Sequence, residues 1–211
     1  MATSGDPVRT GLIASLARPG GNITGSTVVI AELMAKRLEL LKEAAPRVNQ
    51  VAVLANAGDS SRLPVYEAME ATARSLKVEL QKFEVRSPYE FESTFAAMAK
   101  GGVNAVVVQE ESMLASNLRA IADLAAMRRV PLAGFPAFAQ AGGLVGYGAN
   151  VPELMRRAAA FVDRILKGAK PGDLPVEQPT KFELVINLKT AKALGINIPQ
   201  SILLRADKVI E

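Results

Sequence analysis

The apolar positions of this chain follow two rhythms. Short uninterrupted runs, Val51-Ala52-Val53-Leu54-Ala55 and Ala105-Val106-Val107-Val108 among them, predict strands buried on both faces. Apolar residues recurring every third or fourth position predict helices between them. Near the start the pattern predicts a helix over residues 8–17, stopped by Arg18-Pro19-Gly20-Gly21, and then a short strand over 22–27. A helix over 31–44 follows, with Leu33, Arg37, Leu40 and Leu41 at helical spacing. Next come a strand over 51–55, a helix over 64–76 and a strand over 78–85. A further helix opens at Ser87-Pro88, where Ser87 and Glu90 stand at capping-box spacing. The rhythm then gives a strand over 104–108, a helix over 113–127 and a strand over 130–133. Beyond that it is less regular. It predicts a strand over 143–147, a long amphipathic helix capped by Asn150 with Glu153, a surface loop over 170–175, a strand over 182–188, and a short helix ending at Gly195.

Strands alternating with helices in this way predict an α/β fold with a doubly wound parallel sheet. Numbered from the strand at Val51, the natural order is 2-1-3-4, which makes the strands ending at Ala55 and Val108 neighbours across the switch point. Ligands of such sheets bind at the carboxyl ends of the strands. Two polar tips are therefore candidates for one small-molecule site: Asn56 to Ser61, and Gln109 to Ser112.

In the first tip, Asp59, Ser60 and Ser61 can cap the N–H groups of the following helix, or bind a carboxylate or phosphate of a ligand. In the second, Glu110 and Glu111 are adjacent. Successive side chains diverge, so they are not a paired-carboxylate hydrolytic centre; a carboxylate here can hold a ligand ammonium group or simply face solvent. Phe135, Phe138 and Tyr147 lie near strand ends, where core packing is the simpler role. Gly146-Tyr147-Gly148 and Gly20-Gly21 do not form a dinucleotide-binding glycine loop.

Composition narrows the chemistry. The chain has 211 residues with no Cys, His or Trp, which removes thiolate nucleophiles, disulfides, imidazole bases and the common zinc sites. No catalytic residue, metal site or cofactor is expected, and an enzyme is not. The net charge of +4 is spread along the chain without a basic stripe beside aromatics, so nucleic acid is not an expected partner. No segment is long and apolar enough to span a bilayer, and the segment Met1 to Pro7 does not read as a signal peptide.

Several longer stretches carry a resemblance. Gly5-Asp6-Pro7-Val8, Leu16-Ala17-Arg18-Pro19-Gly20-Gly21-Asn22-Ile23-Thr24-Gly25, Arg37-Leu38-Glu39-Leu40-Leu41-Lys42 and Val53-Leu54-Ala55-Asn56 are four of them. Pro175 to Ala191, Leu194-Gly195-Ile196-Asn197-Ile198-Pro199 and Ala206 to Glu211 complete the set. Together they resemble the ABC-transporter substrate-binding proteins of the tryptophan/tyrosine-binding type, across essentially the whole chain.

The resemblance implies a type I periplasmic-binding fold: a two-lobed trap that holds a small solute, such as an amino acid, in an interlobe cleft and delivers it to membrane permease subunits. It implies a periplasmic location and no chemistry. It places Asp6 at the ligand from the hinge side, with Asn56, Asp59, Ser60 and Ser61 at one strand tip. Glu110, Glu111 and Ser112 follow at the other, and Phe135 lies nearby. Ala57 stands where the family has Pro, Ser60 where Asn is common, and Gln109-Glu110-Glu111 where Thr-Asp-Asn is usual. The alternative functions are an effector-sensing module related to transcription regulators, and after that a Rossmann-like enzyme.

Against the family pattern the chain opens at the hinge motif. Residues 33–136 are then expected to form a complete second lobe. Residues 1–32 would be part of the first lobe and hinge, and 137–211 the returning hinge with the remaining first-lobe elements. Flanking pieces without their usual partners should expose apolar surface, so a homodimer is expected.

Overall fold

The computed structural model describes residues 6–211; Gly5 of the Gly-Asp-Pro motif and the segment before it lie outside the described residues. Seven strands form one sheet: β1 (Gln50–Asn56), β2 (Glu79–Val85), β3 (Ala105–Val108), β4 (Leu132–Gly134), β5 (Val145–Ala149), β6 (Phe182–Asn187) and β7 (Lys208–Ile210). Their order is β2-β1-β3-β4-β5-β6-β7, so the 2-1-3-4 arrangement predicted from the sequence is present and continues through three more strands. The pairings of β1 with β2 and β3, of β4 with β3 and β5, and of β6 with β7 are parallel.

The strand interiors explain the order. Every residue from Val51 to Ala55 and from Ala105 to Val108 is fully buried, as a central strand covered on both faces requires. β2 is one edge, and it carries Glu79, Lys82 and Glu84, charges that discourage pairing with another chain. The switch point falls between β1 and β3, where Leu54 stands opposite Val108.

Helix α1 (Ile30–Ala44) precedes β1, and α2 (Arg62–Leu76), α3 (Phe91–Lys100), α4 (Ser112–Ser116), α5 (Leu118–Met127) and α6 (Pro136–Ala141) connect the first five strands. Later come α7 (Val151–Leu166), α8 (Leu188–Leu194) and α9 (Gln200–Leu203). One core layer packs Leu54, Phe95, Val106, Ile121, Leu132 and Phe138 together. Each such side chain contributes roughly 1.5–3 kcal/mol through its burial.

Four local expectations are corrected. Residues 8–17 are not a helix: a single turn closes with Leu12 N–H donating to the Pro7 carbonyl, and Gly11 then takes φ +71°, which ends helical geometry. Residues 22–27 form no strand, only an isolated bridge from Ser26 to Glu177. The helix expected over 113–127 breaks at Asn117, which leaves helical dihedrals and donates its side-chain amide to the Met113 carbonyl. Ser87 makes no capping bond; the Glu90 carboxylate instead accepts the Arg86 N–H, and a 3₁₀ turn precedes α3.

The chain divides into two compact units, one of residues up to Ile30 with Ala149–Phe182, the other of Ala31–Gly148 with Glu183–Glu211. The sheet belongs to the second unit except for one terminal residue each of β5 and β6. Residues 183–211 thus return to the sheet, adding β6 and β7. In the first unit, α7 buries Leu154 and Phe161 but leaves Val162 and Leu166 exposed, which is apolar surface of the kind the sequence predicts for the flanks. Asn150 caps α7 by accepting the Glu153 N–H, as the spacing predicts. Among the described residues no helix is long and apolar enough to cross a membrane.

Candidate functional site

The carboxyl ends of β1, β3, β4 and β5 lie side by side along one rim of the sheet. Both tips named from the sequence are on it. At the first, β1 runs out at Asn56, whose side-chain oxygen accepts the Gly58 N–H and starts a tight turn. Asp59 repeats the device: its Oδ1 accepts the Ser61 N–H at 2.9 Å and its Oδ2 the Ser61 hydroxyl at 2.6 Å. The Ser61 side chain makes no capping bond to α2, so the cap proposed for these residues is not formed. Ser60 is exposed on the turn.

One residue of the second tip, to which the sequence assigns no ligand contact, joins the two tips. Gln109, the first residue after β3, is fully buried. Its Nε2 donates to Asp59 Oδ2 at 2.8 Å and to Ser61 Oγ at 3.1 Å, while its Oε1 accepts the Asn56 N–H at 3.1 Å. Every polar group of this amide that faces the turn is engaged, as burial demands. The sequence signal was its place, a lone polar residue directly after an all-apolar strand.

Glu110 and Glu111 diverge, as adjacent residues must. Glu111 caps α4, its Oε2 accepting the N–H groups of Met113 and Leu114. Glu110 turns to the buried side chain of Arg37 on α1 and accepts from its Nη2. Ser112 opens α4 and is exposed. At the end of β4, Phe135 is half-buried and packs edge-on against Phe138 with ring centres 4.9 Å apart. Phe138 itself is fully buried, in the core role expected of it.

Beside the first tip, Arg62 donates from Nη1 to the Asp59 carbonyl and from Nε to Glu84 on β2. Tyr66 donates its hydroxyl to the same Glu84 oxygen. Burial chiefly, then the Glu84 charge and this hydrogen bond, hold the Tyr66 phenol above the ordinary range.

Asp6, the remaining predicted site residue, belongs to the other compact unit. There its Oδ1 accepts the N–H groups of Val8 and Arg9 and its carbonyl accepts the Thr10 hydroxyl. Among the described residues no group of three or more acidic, His or Cys side chains could hold a metal ion.

An open parallel α/β sheet with a polar rim at its switch point defines a small-molecule-binding fold, and comparison with known proteins specifies the class. The model of the ABC transporter substrate binding protein family matches residues 1–210, and the chain belongs to that family. It is similar, at 30% identity and a TM-score of 0.90, to the crystal structure of an ABC domain in complex with L-Trp from Streptococcus pneumonia. That match covers 100% of this chain and 72% of the other. A conserved domain protein from Vibrio cholerae O1 biovar El Tor matches at 26% identity and a TM-score of 0.88, over 97% of this chain and 68% of that one. A curated relative, the tyrosine-binding protein of Clostridioides difficile strain R20291, is 25% identical over 192 residues. That alignment takes in 90% of this chain and 55% of the relative, so the chain spans about half of that protein's length. The fold is thus of the type I periplasmic-binding kind, as the resemblance implied.

Proposed function

We propose that this chain serves as the solute-binding component of an ABC importer, and that the rim at the ends of β1, β3 and β4 grips an amino acid of the aromatic type. The observation that carries the reading is the likeness, over the whole chain, to a structure that holds L-Trp. The rim supplies matching chemistry. Glu110 accepts the ligand ammonium, the exposed hydroxyls of Ser60 and Ser112 serve polar groups, and the half-buried Phe135 offers apolar contact. Asp59, Ser61 and Gln109 are the scaffold that shapes the wall, since their polar groups are engaged with one another, while Asn56 closes its own turn and Glu111 caps α4. No bond is made or broken. The ligand is passed to permease subunits outside the cytoplasm.

A thermal-shift and calorimetric screen of the twenty amino acids tests this. L-Trp or L-Tyr is expected to raise the melting temperature, since a ligand at a hundred times its Kd adds about 2.7 kcal/mol of stability. Unchanged melting with all twenty at millimolar concentration defeats the proposal.

A further inference from the structure

The apolar stripe of α1 contains one guanidinium. Arg37 is fully buried, as are Met34, Leu38 and Leu41 on the same helix. Its Nε donates to the Tyr147 carbonyl at 2.7 Å, its Nη1 lies 3.4 Å from Met34 Sδ, and its Nη2 donates to Glu110 Oε2. Burying a guanidinium is costly, and a buried ion pair rarely gains stability over well-packed apolar side chains. Stability alone therefore does not account for this residue.

Its route through the fold is specific. A Cβ at Gly148 would lie 3.0 Å from Arg37 Nη2 and 3.1 Å from Pro136 Cδ, so a side chain there would crowd the guanidinium. Gly146-Tyr147-Gly148, which is no dinucleotide loop, thereby acquires a role: Tyr147 offers its carbonyl and Gly148 leaves room. Arg37 ties α1, the end of β5 and the tip of β3 together. For Glu110 the result is an asymmetric carboxylate. Oε2 is pinned to the guanidinium, and Oε1 has no hydrogen bond among the described residues, in a side chain still 25% exposed.

We propose that Arg37 is a positioning residue: it fixes Glu110 with one carboxylate oxygen facing outward, so that the rim selects ligands carrying a primary ammonium over the same ligands without it. This rests on the amino-acid reading of the rim. A carboxylate held on one oxygen loses little further freedom when an ammonium arrives, and charge-assisted bonds are the stronger kind.

Isothermal calorimetry on the full chain tests it, with L-tryptophan and its des-amino analogue 3-(indol-3-yl)propanoate as probes. The proteins are wild type, Glu110→Gln, Arg37→Met and Arg37→Lys, with melting curves alongside. Wild type is expected to prefer L-tryptophan by about tenfold or more, the worth of one charge-assisted hydrogen bond. Glu110→Gln and Arg37→Met should both bring that ratio close to one, and Arg37→Lys should recover part of it, a point charge replacing a planar fork. If Arg37→Met melts too early to titrate, Arg37→Lys carries the comparison and must lower the ratio.

A merely structural arginine would weaken both probes by the same factor; an unchanged ratio in Arg37→Met therefore overturns the proposal. Should wild type bind neither probe, the amino-acid reading falls. Positioning is then decided by comparing ligand-free crystals of wild type and Arg37→Met, where a Glu110 carboxylate displaced from its wild-type position supports the role and an unmoved one ends it.

Discussion

The tips of β1 and β3 stand on adjacent strands, are both rich in oxygen-bearing side chains, and use them differently. At the β1 tip the polar groups face each other. Asp59 has both oxygens engaged, by Ser61 and by Gln109, and Asn56 closes its own turn. At the β3 tip each carboxylate is held at one oxygen: Glu111 Oε2 caps α4 through backbone N–H groups, whereas Glu110 Oε2 leans on a buried cation. The contrast separates two jobs that residue type alone does not distinguish. A carboxylate with both oxygens satisfied by neighbours, as in Asp59, holds a turn together, and one paired with a cation at a single oxygen keeps the other for a further donor.

Breaking the bridge between the tips should have the largest effect. Gln109→Ala leaves the Asn56 N–H and Asp59 without their buried partner, and is expected to cost about 2–3 kcal/mol in urea unfolding. A loss below about 0.5 kcal/mol, the range of ordinary surface changes, would mean the two tips are not coupled through this amide.

The next variant sharpens the difference between the two carboxylates. Asp59→Asn swaps one acceptor for a donor facing Ser61 or Gln109, and is expected to cost about 1–1.5 kcal/mol in stability while L-tryptophan affinity stays within about twofold. Glu110→Gln should show the opposite split, since the amide oxygen still accepts from Arg37. The same split for both variants would erase the distinction between wall and contact.

The smallest effect concerns the flank of the β1 tip. Tyr66 has a phenol pKa raised by burial and by Glu84, so its proton is held longer in the folded chain than in the unfolded one. Below about pH 10 both states are protonated and nothing changes; above it the unfolded state loses its proton first, and stability falls as pH rises. Urea midpoints of wild type should therefore drop more steeply between about pH 9 and 11 than those of Tyr66→Phe. Parallel slopes would show that the hydroxyl of Tyr66 is not protected beside this tip.

Much of this architecture was legible in the residues. The runs at Val51 and Ala105 predicted buried strands, and the natural doubly wound order placed them side by side, as they are. The named tips both reached the rim. What the pattern misplaced were segments whose geometry hangs on one residue: Gly11 ends a turn that the spacing of Leu12, Ile13 and Leu16 would continue, and Asn117 divides a helix whose apolar stripe runs through it. The return of residues 183–211 to the sheet was equally hidden, because a strand's own pattern does not say which neighbour it will find.

The sequence by itself determined the alternation of strands and helices, the polar tips and, through its motifs, the family. Those depend on periodicity and local composition, which the chain carries residue by residue. Only the tertiary structure decided which oxygens are satisfied. Gln109 meets Asp59 across 50 positions of chain, and Arg37 meets Glu110 across 73. A lone arginine in an apolar helical stripe was visible as an oddity of α1; what it holds depends on a partner that folding alone brings within reach.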